Sequence, residues 1–133
     1  MSTAASMNSG TNNYKLYTSS SSISSQLVKL TLEEMGVEME NHEVDLFECQ
    51  HFEPSFARMN PELSTPFMMN KNECYTDTFT SARDILMFLC NENPKSRMMP
   101  IEDENIKKVM YWVDRFFDEW DSIYEFSFYS GND

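Results

Sequence analysis

The sequence predicts an α/β fold with the order β-α-β-α-β-β-α, followed by one more helix. Three observations carry this. Apolar residues recur at i, i+3, i+4 and i+7 in three separate segments, as in helices with one buried stripe. Short stretches rich in aromatic residues, methionine or valine lie before and between those segments and read as strands. Gly36, Asn60-Pro61 and Asn70-Lys71-Asn72 punctuate the chain where one element must give way to the next.

Composition sets the bounds. The chain has 133 residues, with 10 Lys plus Arg against 22 Asp plus Glu, a formal net charge of -12. That length suits one domain, or one domain with part of a second. An apolar fraction of 41% supports a real core. The acidity disfavours nucleic acid and anionic membrane surfaces as partners. The longest apolar run, from Ile85 to Cys90, is far too short to span a bilayer. Cys49, Cys74 and Cys90 form no CxxC pair and have no zinc spacing with His42 or His51, so free thiols in a reducing compartment are expected. The first 13 residues lack the basic and apolar pattern of a signal or transit peptide and read as a disordered tail.

Each element then follows in order. Residues 14–18 alternate and are aromatic-rich, which predicts a first strand. The serine-rich stretch 19–25 resembles a linker in composition, but an amphipathic segment follows at once, so its serines are also N-cap material. A helix is predicted from residue 24 or 25 to 35, with Val28, Thr31, Leu32 and Met35 on one stripe and Gly36 as its stop. Residues 39–44 give a second strand with weak alternation. A short helix over 51–60 has Pro54 in its first turn, where the missing N–H costs little. A third strand starts at Pro66, a turn covers 70–72, and a fourth strand covers 73–76. Ala82, Ile85, Leu86 and Leu89 mark a third helix. A polar linker with two prolines, 94–100, leads to a long helical stripe of Ile106, Val109, Met110, Val113, Phe117, Trp120 and Tyr124. A single helix so striped leaves apolar area wet and favours self-association.

The residues also carry a family likeness. Leu16-Tyr17-Thr18, the serine run, the segment 28–36 (VKLTLEEMG), Val44-Asp45-Leu46, the segment 51–56 (HFEPSF), Asn60-Pro61, Thr65-Pro66 and the segment 85–89 (ILMFL) resemble, in order and spacing, the N-terminal domain of cytosolic glutathione transferases. The likeness covers about residues 14 to 89. Segments 24–30, 53–56, 81–85 and 97–100 are similar to a membrane-anchored branch of that superfamily, the ganglioside-induced differentiation-associated proteins. The resemblance implies a thioredoxin-like domain over 14–93, a linker over 94–100 and the first part of an all-helical domain over 101–133. It implies glutathione as a substrate, with no further cofactor, and a homodimer as the family's common assembly. The expected location is the cytoplasm. The mitochondrial outer membrane is the alternative for a longer form with the branch's C-terminal anchor, which this chain lacks.

The resemblance also assigns roles. Ser22 matches the position of the serine or cysteine that faces the glutathione sulfur. A thiol with a pKa near ~8.5 is mostly protonated at neutral pH, and a donated hydroxyl hydrogen bond lowers it. The competing reading is ordinary capping and solvation, and a slip within the serine run leaves Ser21 and Ser24 open. Thr65-Pro66 matches the cis-proline turn whose preceding residue offers backbone groups to the cysteinyl part of glutathione; an ordinary proline at a strand start is the plainer reading. His51 matches a basic contact to the glycine carboxylate, or is a solvated histidine at a helix start. Ser81 and Ala82 stand where the family carries an acid and a serine for the γ-glutamyl group. A one-residue shift puts Thr80 and Ser81 there instead, and Asp77 is the nearest upstream acid. The absence of that acid favours a second functional class, a non-catalytic interaction or adaptor module. Asp114, Asp118 and Asp121 share one side of the last helix, where a solvated acidic face is the simpler reading than a metal site.

Overall fold

The structure is a computed structural model that describes residues 11–72 and 78–129, with side chains described to Glu119 in the last helix. The chain divides into two compact units at Ser96 and Arg97. The first holds strands β1 (Tyr14–Thr18), β2 (Glu40–Glu43), β3 (Phe67–Asn70) and β4 (Thr78–Phe79) and helices α1 (Ile23–Met35), α2 (Pro54–Met59) and α3 (Ala82–Glu92). The second holds α4 (Asp103–Tyr129).

The four strands form one mixed sheet in the order β2-β1-β3-β4. β1 pairs parallel with β2, with Tyr17 opposite His42. It pairs antiparallel with β3, with Leu16 opposite Met68. β3 then pairs antiparallel with β4, Met68 opposite Phe79. The parallel pair needs a crossover, and α1 supplies it.

Side chains alternate across a strand, so Leu16 and Met68 point to one face while Tyr17, Phe67 and Met69 point to the other. On the first side α1 and α3 pack against each other, with Val28, Ile85 and Leu89 fully buried. On the second, Phe67 and Met69 pack with Val44 and Phe56, and Tyr17, Leu46 and Met59 close the cluster. Fully burying one such side chain contributes about 1.5–3 kcal/mol, so the two faces together fix the sheet between its helices.

The ends of α1 show how the sequence sets its length. Ser22 is its N-cap, and the Ser22 hydroxyl accepts from the Ser25 N–H. Gly36 sits in the left-handed region at φ 68, where a Cβ would be strained although nothing lies within 4 Å of one. The Val37 N–H then reaches back to the Leu32 carbonyl at 3.0 Å, and both side chains are buried, which completes a Schellman-type stop.

Several boundaries differ from expectation. α1 begins at Ile23, ahead of the expected start, a position the apolar stripe does not mark because Ile23 is exposed and outside it. The expected helix over 51–60 divides into a 3-10 turn, Gln50–Phe52, and α2, with Glu53 extended between them and Pro54 first in α2. β3 starts after Pro66 and includes Asn70, which shifts the turn to residues 71 and 72. The fourth strand expected at 73–76 lies wholly outside the described residues, as do Cys74 and Asp77; among the described residues the strand that pairs with β3 is Thr78–Phe79. Cys90 is half-buried, and burial pushes its thiol pKa up; Cys49 is exposed, and both are free. Among the described residues no group of acidic, histidine or cysteine side chains could hold a metal ion. No helix is long and apolar enough to cross a membrane among those residues.

Candidate functional site

The serine run is a folded loop. Thr18, Ser19 and Ser25 are buried. The Ser19 N–H donates to the Ser25 hydroxyl at 3.2 Å, and the Ser19 and Ser21 hydroxyls share a hydrogen bond at 2.9 Å. The Ser20 N–H donates to the Glu43 carboxylate at 2.6 Å, tying the loop to the end of β2. Thr18 donates to the Asn41 side chain at 2.8 Å. These bonds hold the chain between β1 and α1 at a set height above the sheet, so the composition of a linker is overruled by its surroundings.

Ser22 is the member of the run that meets another element. Its hydroxyl donates to the Thr65 carbonyl at 3.4 Å while accepting from the Ser25 N–H at 3.2 Å. Ser21 is exposed and bonded within the loop, and Ser24 lies inside the first turn of α1. Ser22 therefore stands at the N-terminus of α1, where free N–H groups and the helix dipole favour an anion.

The opposite wall is the turn before β3. The Thr65–Pro66 bond is cis, with Pro66 buried and Thr65 half-buried. Asn60 holds this turn from below. It is fully buried, its side-chain amide donates to the Ser64 carbonyl at 2.7 Å, and its side-chain oxygen accepts from the Glu62 N–H at 3.2 Å. The Leu63 N–H adds a bond to the Asn60 carbonyl at 3.0 Å, and Leu63 takes a left-handed φ of 54. The sequence marks Asn60 only as a helix end; its holding role follows from burial that the structure shows.

His51 lies in the 3-10 turn with its ring against Phe52, ring centres 4.1 Å apart. Among the described residues its buried Nδ1 has no hydrogen-bond partner, nor has the buried Ser64 hydroxyl. Among the described residues no hydrogen bond joins His51 to Ser22 or Thr65. Ser81 is the N-cap of α3 with extended backbone, but its hydroxyl makes no capping bond. Ala82 is buried in the first turn and offers no polar group. So Ser22 and Thr65 are brought together, while His51 and Ser81 are placed on other elements. Chemically, the first pair can offer a hydroxyl, helix N–H groups and a turn backbone to a small anionic or thiol-bearing peptide.

No protein-family model matches the chain. A relative from Arabidopsis thaliana, glutathione S-transferase TCHQD, is 34% identical over 109 residues, which is 81% of this chain and 38% of the relative. A glutathione S-transferase from the Antarctic clam Laternula elliptica superposes with a TM-score of 0.77 at 18% identity, covering 92% of this chain and 54% of the clam protein. A glutathione transferase homolog from sulfitobacter, solved with bound glutathione, gives a TM-score of 0.64 at 18% identity over 76% of this chain and 48% of its own. The likeness to the solved structures shows a shared fold, a four-stranded mixed sheet with helices that matches the thioredoxin-like N-terminal domain and part of a helical one. The plant relative and the shared fold both support a relationship to the glutathione transferase superfamily. The chain spans well under half of the plant protein's length and about half of the clam protein's.

Proposed function

We propose that the chain binds glutathione in the groove between the N-terminus of α1 and the Thr65–Pro66 turn and, when an electrophile is supplied, conjugates it. The observation that supports this most is the hydrogen bond from the Ser22 hydroxyl to the Thr65 carbonyl at 3.4 Å, which sets the start of α1 beside the turn. A cysteinyl backbone pairing with Thr65 would bring its sulfur near Ser22, whose hydroxyl could turn from the carbonyl to donate to the thiolate. Each unit by which the thiol pKa falls corresponds to about 1.4 kcal/mol of preference for the thiolate. His51 is proposed for the glycine carboxylate, with the unpartnered Nδ1 in support. Ser81 is proposed for the γ-glutamyl end. Glutathione enters as substrate, with no cofactor.

A second reading, a non-catalytic adaptor on the same fold, is favoured by Ser81 and Ala82, which supply no acid where the γ-glutamyl ammonium would lie. The finer placement in the ganglioside-induced differentiation-associated branch rests on the matched segments named above, and a cytoplasmic setting and a homodimer belong to the same proposal. The domain division at 14–93, 94–100 and 101–133 does too. Calorimetric titration with glutathione tests the groove. The expected dissociation constant is in the millimolar range, because a lost charge-assisted contact removes about 1.5–3 kcal/mol. Ser22→Ala should abolish any turnover with a reactive aryl halide. Binding with no turnover by the unmodified chain supports the adaptor; no binding at all refutes the glutathione reading.

A further inference from the structure

The loop from β2 to α2 shows two phenylalanines to solvent. Phe47 is 85% exposed and Phe52 59%. Each is followed by an exposed glutamate, Glu48 and Glu53, so a Phe-Glu pair recurs within one short segment. From residue 43 to 57 the chain has four acids, Glu43, Asp45, Glu48 and Glu53, and no lysine or arginine. A single exposed phenylalanine is ordinary, but these two sit on a loop fixed by its own hydrogen bonds. The Asp45 carboxylate accepts from the Phe47 N–H at 3.0 Å and the Glu48 N–H at 3.1 Å. The Asp45 N–H donates to the Gln50 side-chain oxygen at 2.8 Å, and the Gln50 N–H to the Asp45 carbonyl at 3.0 Å. The Phe52 N–H then bonds the Cys49 carbonyl at 3.0 Å. Beneath, Leu46 packs on the cluster of Val44, Phe56, Phe67 and Met69, which leaves its neighbour Phe47 on the outside.

From this we infer that the β2–α2 loop docks a basic segment of another protein, one that combines large apolar side chains with arginine or lysine. The phenylalanines are the anchors, since aromatic side chains contribute most contact area per residue. A loop already tied at Asp45 and Gln50 loses little freedom when it is covered. Charge chooses the occupant. An arginine over the Phe47 ring meets the ring face and the adjoining Glu48 together. An uncharged partner would strip water from Glu48 and Glu53 and return no charge to them. A second copy meeting loop to loop would bring the same four acids to the contact. Nucleic acid and anionic membranes are repelled by a chain of net charge -12. The inference stands apart from the glutathione reading, and its test uses no glutathione.

Fluorescence anisotropy of the full chain with a short labelled peptide of arginine and leucine tests it. The expected dissociation constant is on the order of tens of micromolar, weaker in high salt. Phe47→Ser should weaken binding about tenfold, and Glu48→Lys with Glu53→Lys about tenfold or more. Glu33→Lys with Glu34→Lys makes the same change in net charge on exposed positions of α1, against the other face of the sheet, and should move the constant less than about twofold. A peptide with serine in place of leucine should bind at least about tenfold more weakly. Circular dichroism of each variant checks that the fold is kept. No binding of the arginine-leucine peptide at millimolar concentration overturns the inference. Equal loss in the α1 variant overturns it too, because the attraction is then the field of the whole chain. Equal binding of the serine peptide removes the aromatic anchors. Capture by neutral phosphatidylcholine vesicles that depends on Phe47, without peptide binding, gives the loop to lipid and also overturns it.

Discussion

Two helices of the same unit begin on a serine with nearly the same backbone. Ser22, ahead of α1, has φ -95 and ψ 120; Ser81, ahead of α3, has φ -105 and ψ 133. Only the first is put to use. The Ser22 hydroxyl accepts from Ser25 and donates to Thr65, whereas the Ser81 hydroxyl makes no capping bond. Residue type and local conformation therefore do not make a site. What differs is that another element, a turn held by a buried amide, lies within reach of the Ser22 hydroxyl.

The largest expected effect comes from removing what holds that turn. Asn60→Ala leaves the Ser64 carbonyl and the Glu62 N–H without their side-chain partner. With Asn60 fully buried, the cost should be about 2–3 kcal/mol in denaturant unfolding. A loss below half that would mean the Ser22 side of the comparison is held by the backbone alone. Next, Ser81→Glu with Ala82→Ser should tighten glutathione binding by roughly ten- to a hundredfold, since it supplies a charge-assisted contact of about 1.5–3 kcal/mol. Calorimetry with no gain would show that α3 does not face the same ligand as α1.

A smaller effect separates the two caps directly. Ser22→Ala should destabilise the fold by about 1 kcal/mol, and Ser81→Ala by much less, because only one side chain caps. Equal losses would break the comparison. The smallest effect is a titration. Glu40 has its pKa lowered, first by a hydrogen bond from His42 at 2.8 Å and then by Lys71. A carboxylate held low stabilises the fold above its ordinary pKa, and that contribution is lost as pH falls through the lowered value. Followed by NMR, the Glu40 carboxyl should move back toward the ordinary glutamate range in His42→Ala.

How much of this was legible depends on burial. α1 and α3 repeat their apolar stripes because each buries one face, and the cis turn and Gly36 stop are tied to residues with few conformational alternatives. The start of α1 was missed because Ile23 is 50% exposed and breaks the stripe. β2 shows weak alternation because all four of its residues are exposed, so neither face imposes a pattern. Among the described residues the last strand covers two positions, Thr78 and Phe79, too few to carry a period. At the site, Ser22 and Thr65 could be matched by motif. The role of Asn60 could not, since it depends on where a loop folds back over a buried amide.

The exposure of β2 has a consequence for how the molecule behaves at high concentration. β2 is one edge of the sheet, and the open side of an edge strand is a template for a further strand. Here that edge carries Glu40 and Glu43, with His42 drawn onto Tyr17 at 5.1 Å between ring centres. A strand docking there would have to strip water from two carboxylates on an already acidic protein. The β2 edge is thus poorly suited to growth, and its resistance to fibrous aggregation should rest on Glu40 and Glu43 staying ionised.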